Sequence, residues 1–182
     1  MRRLIFIIGV ILLSSCGYKL NPLISANKVR TLSIPYVEGD IDGQLTATLI
    51  GEISTSGAYH YQDEGAEWIL KARILDNTYE NIGFRYDRSR KGRLKHWLIP
   101  VERRKGVLIE VELLSACALQ VVQGPCQLYA SIEYDHDYYT IRDGVNVFSL
   151  CQLTDIDSAE DAAKIPLYQK LAEKVVSWLT YH

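Results

Sequence analysis

Two groups of residues in this chain carry side-chain chemistry worth following. The first is a single thiol, Cys16, in the stretch Leu13-Ser14-Ser15-Cys16-Gly17-Tyr18. It follows a positive start, Met1-Arg2-Arg3, and an apolar run from Leu4 to Leu13. That run is well short of the ~20 residues that span a bilayer, but it suits the apolar core of an export signal. A large apolar residue, two small ones and a cysteine resemble a lipobox. There the thiol receives diacylglycerol, the chain is cut before the cysteine, and the new amine is acylated. Acyl chains on Cys16 would moor the chain to a membrane surface, each buried CH₂ contributing ~0.8 kcal/mol. An aspartate after the cysteine commonly retains such proteins at the inner membrane; Gly17 stands here, so the expected address is the outer membrane.

The second group is cationic. Removing residues 1–15 leaves 167 residues with 18 Lys and Arg against 22 Asp and Glu. Nine of those basic residues fall between Phe84 and Lys105, opposed only by Asp87 and Glu102, so this segment is +7 and the rest −11. Arg85, Arg88, Arg90, Lys91, Arg93 and Lys95 interleave with Phe84, Tyr86 and Trp97. Guanidinium forks grip phosphates, and aromatics cover acyl or sugar surface. Three readings stand open for this segment: a solvated hairpin, a site for a phosphorylated polyanion, or an insertion into a partner with an acidic interior. Nucleic acid suits such a segment, but an exported lipoprotein rarely meets it.

Nothing else in the chain points to catalysis. His60, His96, His136 and His182 stand far apart and form neither HExxH nor metal-ligand spacing. His136 lies between Asp135 and Asp137, but strand neighbours point to opposite faces, so a solvated strand end is expected there. Nucleophile-elbow, P-loop and dinucleotide fingerprints are missing. The expectation is a non-enzyme without metal or cofactor. Cys117, Cys126 and Cys151 remain for an oxidising compartment, where one bridge and one spare thiol are possible.

The elements that must position these groups read as β-α-β-β-β-α. Lys28 to Pro35 is a short strand ended by Pro35. Asp40 or Asp42 can cap a helix in which Leu45, Leu49 and Ile53 recur every four residues, with Gly57 as its stop. Glu67 to Leu75 alternates, with Leu70, Ala72 and Ile74 on one face and Lys71 and Arg73 on the other. The basic segment follows as a long hairpin connection interrupted by Gly92 and Pro100. Val107 to Gln120 alternates, and Gln123-Gly124-Pro125 is the expected turn into Gln127 to Asp135. That turn would set Cys117 near Ala130 and Cys126 near Val121, which argues against a 117–126 bridge. Asp137 to Leu153 is irregular. A helix capped by Asp157 or Ser158 then runs on, with Ala162, Ile165, Ala172, Val175, Val176 and Leu179 as its apolar face and a kink or later start at Pro166.

These stripes predict an α+β fold: a two-layer sandwich of about four strands in a mixed sheet, with two helices on one face. The expected organisation is a signal peptide at 1–15, a lipidated linker at 16–27 and a single domain at 28–182.

The lipobox with "CGYKL", then "VRTLSIP", then the helix "LTATLIGEISTSG", resembles the LPS-assembly lipoprotein LptE (RlpB) family. So do the paired strands of "GVLIEVELLSACALQVVQGPCQLYASIEY" and the late helix. The resemblance implies an outer-membrane lipoprotein that plugs and helps assemble an LptD-type β-barrel. It also implies lipopolysaccharide binding through basic residues between the second and third strands, here the region Arg85 to Lys95. The reading kept beside it is a lipoprotein adaptor that activates or scaffolds another envelope protein.

Overall fold

A computed structural model describes residues 30–88, 91, 93–136, 141–142, 145–146 and 155–181. Cys16, Arg90 and Cys151 lie outside the described residues, as does the signal and linker region, and of residues 87, 88 and 94–97 only the strand positions are described.

The first unit is a strand–helix–strand crossover. Strand β1 (Arg30–Ser33) leads to helix α1 (Gln44–Ser56), which returns the chain to β2 (Tyr59–Tyr61), paired parallel to β1. The N-cap position of α1 is Gly43, not Asp40 or Asp42, but both aspartates accept from N–H groups of its first turn. Buried Asp40 accepts from the Thr46 N–H (2.8 Å), the Thr46 hydroxyl (2.7 Å) and the Leu45 N–H (3.4 Å), and Asp42 accepts from the Gln44 N–H (3.2 Å). These carboxylates satisfy donors that an α-helix leaves orphaned at its start. Leu45, Leu49 and Ile53 are fully buried, and Gly57 closes the helix at φ 66°.

The second unit is an antiparallel meander: β3 (Trp68–Arg88), β4 (Leu94–Ser115) and β5 (Val121–Asp135). The sheet therefore has five strands in the order β2-β1-β3-β4-β5, where four were expected. The strand that was missed, β2, is three residues long, too short for alternation to show. Two-residue strands β6 (Ile141–Arg142) and β7 (Val145–Asn146) pair separately.

Helix α2 (Ile156–Tyr181) begins earlier than expected because Asp155, not Asp157 or Ser158, accepts from the Ser158 N–H (2.8 Å). It continues through Pro166. Its buried face is Ala163, Leu167, Tyr168, Leu171, Ala172, Val175, Trp178 and Leu179, while Ala162 and Ile165 are exposed. Two apolar frames were available in this sequence, and the one carrying the larger side chains faces the sheet. Each such side chain fully buried contributes about 1.5–3 kcal/mol. Both helices cover the face bearing Leu70, Ala72, Val107, Ile109, Val111 and Ala130. Lys174 donates to the Tyr129 carbonyl (2.6 Å) and Lys170 to that of Ser131 (3.4 Å), which places two cations along the outermost strand.

The turn into β5 also differs from expectation. It spans 116–120, closed by Leu119 N–H to Ser115 O (2.8 Å) and Ser115 N–H to Gln120 O (3.0 Å). Gly124-Pro125 instead forms an irregularity inside β5, opposite Glu112, where Gly124 has φ 99° and a Cβ would come within 2.8 Å of the Val111 carbonyl. Cys126 therefore pairs with Val111, and Cys117 sits exposed in the turn; both are free thiols.

Candidate functional site

Much of the basic segment is strand where a loop was expected: β3 runs to Arg88 and β4 starts at Leu94. Antiparallel pairing carries β3 and β4 far past the core, through Phe84↔Pro100, Arg85↔Ile99 and Tyr86↔Leu98 to Arg88↔Leu94. β5 stops at Asp135, opposite Glu102, and the His136 N–H still reaches the Val101 carbonyl (2.9 Å); beyond that level the hairpin is, among the described residues, a two-stranded ribbon. Pro100, which lacks an N–H, falls beside the register shift between Gly83 and Phe84, and such irregularities accommodate proline. Register shifts between Asn81 and Gly83, Gly83 and Phe84, and Tyr86 and Arg88 mark the ribbon, and such irregularities strengthen twist.

Alternation along the ribbon sorts its side chains. Phe84, Tyr86 and Leu98 share one face and are 54%, 61% and 62% exposed. Arg85 and Ile99 occupy the other, with Ile99 buried. Lys91 and Arg93 are exposed at the tip. Arg88 and Lys95 enter as strand positions opposite each other's neighbours. The region predicted from sequence is thus brought onto one projecting element carrying both cations and uncovered apolar area.

The remaining three cations of the +7 segment serve the fold. Arg104 bridges Glu133 (2.6 Å) and Glu80 (3.2 Å) across three strands, and Arg103 donates to Asn81 (3.0 Å). Lys105 is only 3% exposed; its ammonium meets Glu160 of α2 at 2.8 Å and lies over the Tyr79 ring at 5.0 Å. The Tyr79 hydroxyl donates to the same Glu160 oxygen (2.9 Å). Burial works against charging Lys105, but the Glu160 and Tyr79 contacts outweigh it and raise its pKa. Burial likewise opposes charge on Glu160, and the Lys105 and Tyr79 hydrogen bonds outweigh it, holding the carboxyl below its usual range. This cluster ties the root of the ribbon to the first turns of α2. Sequence reading missed it because Glu160 lies 55 residues from Lys105. Without the three root cations, the ribbon from Phe84 to Val101 keeps six basic residues against Asp87.

His136 is buried at 5% exposure, its ring 6.4 Å from that of Tyr134, so the solvated strand end expected there is corrected. Asp135 beside it is exposed, and Asp137 lies outside the described residues. Among the described residues no group of three or more His, Cys, Asp or Glu is placed to hold a metal, and no helix is long and apolar enough to cross a membrane.

No family model and no curated protein sequence matches the chain. Its fold is similar to that of several solved bacterial proteins. An uncharacterized lipoprotein B from Nitrosomonas europaea matches at TM-score 0.50 with 14% identity over 90% of each chain. A homolog of a neuraminyllactose-binding hemagglutinin from Helicobacter pylori matches at 0.50 with 12% identity, covering 85% of this chain and 87% of that one. Rare lipoprotein B from Shewanella oneidensis superposes more loosely, at 0.41 with 11% identity over 82% and 93%. At such identities the likeness is one of fold: an open α+β sheet with helices on one side, found in small bacterial lipoproteins. Individual residues are not transferred by it.

Proposed function

We propose that this chain is an outer-membrane lipoprotein, anchored through Cys16 on the periplasmic side, that plugs and helps assemble an LptD-type β-barrel and engages lipopolysaccharide through the basic ribbon. The observation that carries the reading is the ribbon itself. It projects past the helix-covered core with Arg85, Arg88, Lys91, Arg93 and Lys95 on the same element as uncovered Phe84, Tyr86 and Leu98, and Arg90 belongs to the same stretch of sequence. A ligand with phosphates beside acyl or sugar surface matches both features, because charge-assisted forks take the first and aromatic faces the second.

The sheet face away from the helices supports the plug part of the reading. Lys71, Arg73, Glu110, Glu112 and Glu133 stand on it, a composition suited to a hydrated barrel lumen and unsuited to lipid. The small-lipoprotein fold is in keeping with an N-terminal lipid anchor. A contact protein with a charged sheet face and a gripping ribbon acts by binding.

The experiment is affinity purification of the tagged full-length protein from mild-detergent extracts. A large outer-membrane barrel and lipopolysaccharide should be recovered with it. Recovery of another envelope protein and no barrel would replace the plug reading with the adaptor. For the anchor, Cys16→Ser should abolish labelling by a fatty-acid analogue and release the protein from membranes; labelling that persists would refute lipidation at Cys16.

A further inference from the structure

The wet face of the sheet carries a second feature, at the opposite end of the hairpin from the ribbon tip. After β1 the chain runs along β3 again: the Glu38 N–H donates to the Ala72 carbonyl (3.1 Å) and the Ile74 N–H to the Glu38 carbonyl (2.9 Å). Ile34 and Val37 point into the core, so Pro35, Tyr36 and Glu38 stand outward as a wall. The floor is the outer face of β3 and β4, with Lys71 opposite Glu112 and Arg73 opposite Glu110. Together they border an open-sided cavity of about 420 Å³.

Several side chains there are held before any ligand arrives. The Tyr36 hydroxyl donates to the Asp40 carbonyl, and its ring lies where a Cβ on Gly43 would touch it at 3.4 Å. Gly43 has φ 72°, so the residue that leaves room for the ring is also one the backbone requires to be glycine. The ring nevertheless stays 62% exposed. Arg73 donates through Nε (2.9 Å) and a terminal nitrogen (2.8 Å) to one oxygen of Glu110, a carboxylate only 15% exposed, so both groups are fixed in place. The second Glu110 oxygen, Glu38 and Glu112 offer acceptors; Lys71 offers donors.

We infer that this cavity is a binding site for a neutral saccharide. Sugar hydroxyls donate and accept at once, which a wall of alternating carboxylates and cations satisfies and an apolar pocket does not. The C–H face of a pyranose needs a flat apolar partner, supplied by the fixed Tyr36 ring. Three carboxylates against two cations leave the cavity net negative, which disfavours phosphate and other anions. Its size lies in the range of small-ligand sites, about 300–1,000 Å³. The site is separate from the ribbon. Arg73 and Arg85 are 12 residues apart on one strand, roughly 40 Å at about 3.3 Å per residue. The inference therefore does not rest on the proposed ribbon ligand.

The test is isothermal titration of the detergent-solubilised full-length protein with maltotriose, chitotriose and enzymatically dephosphorylated core oligosaccharide. At least one should bind saturably. Tyr36→Ala and Glu110→Gln should each weaken that binding at least tenfold with the thermal melt kept, whereas Tyr36→Phe, which preserves the ring, should stay within threefold. No saturable heat with any of the three sugars overturns the inference, as does binding that both variants leave unchanged. Tyr36→Ala should still co-purify the barrel if one is bound, so a failure here and a failure of the plug reading are told apart.

Discussion

The two halves of the β3–β4 hairpin are built from the same alternating backbone but live in different surroundings. Below Glu102 the strands are flanked by β1 and β5 and roofed by both helices; above Val101 they pair, among the described residues, only with each other. In the lower half an arginine or lysine meets a carboxylate, as Arg104 meets Glu80 and Glu133, and Lys105 meets Glu160. In the upper half cations share the ribbon with Phe84, Tyr86 and Leu98, which no part of the described fold covers to even half of their surface. One run of positive charge in the sequence therefore divides into a structural root and an exposed tip. A two-stranded ribbon is marginal by itself in water, so the root must hold what the tip presents.

Core deletion should separate the halves most strongly. Ile109 at the root is fully buried and Leu98 on the ribbon is 62% exposed. Ile109→Ala should cost about 2–5 kcal/mol in a denaturant titration, and Leu98→Ala no more than about 0.5 kcal/mol. Equal losses would show that the ribbon packs against the core after all.

Lys105→Met comes next. It leaves Glu160 partly buried without its partner, which should cost about 3 kcal/mol and lower Tm by about 6–12 °C in a chain of this size. Arg104→Ala, on a pair 40% to 65% exposed, should stay within about 1 kcal/mol.

Neutralising Arg88, Arg90, Lys91 and Arg93 together should reverse that order of effects. The melt should hold while lipopolysaccharide binding weakens by about tenfold, and more steeply at low salt than at high salt. Binding unchanged by the four substitutions would return the ribbon to a solvated hairpin.

The root should also show a modest pH signature. The Glu160 carboxyl is held below its ordinary value of 4.5, so its contribution is present above that value and lost as pH falls through the folded pKa. Lys105 sits above 10.5, so its contribution is present below that value and lost as pH rises through the folded pKa. Stability from the pair is therefore full between these limits, and Glu160→Gln should flatten the acid limb of a melt-versus-pH curve. An unchanged limb would remove the cluster from the root's account.

How far the sequence foretold this comparison depends on what each segment had to signal. Alternation over Leu70–Ile74 and Val107–Leu113 found strands and faces correctly, because one side of each is buried and the other is wet. Leu45, Leu49 and Ile53 found α1 for the same reason. Strong turn residues misled twice. Gly92 and Pro100 made the ribbon look like loop, although Pro100 sits in β4 beside a register shift. Gly124-Pro125 looked like a hairpin turn but occupies an irregularity in β5, while the true turn uses Leu119 at φ 52° with neither glycine nor proline at its centre. The Lys105–Glu160–Tyr79 cluster depends on distant segments meeting, which no local pattern announces. The basic region was found by charge; its apolar face emerged only once the strand pairing put Phe84, Tyr86 and Leu98 together.

The most direct test places a photo-crosslinking amino acid at Tyr86 or Leu98 on the ribbon, and for comparison at exposed Glu173 on α2, in the living cell. The account predicts that the ribbon positions capture lipopolysaccharide or a large outer-membrane barrel and that Glu173 captures neither. Capture from Glu173 with none from Tyr86 or Leu98 would contradict it.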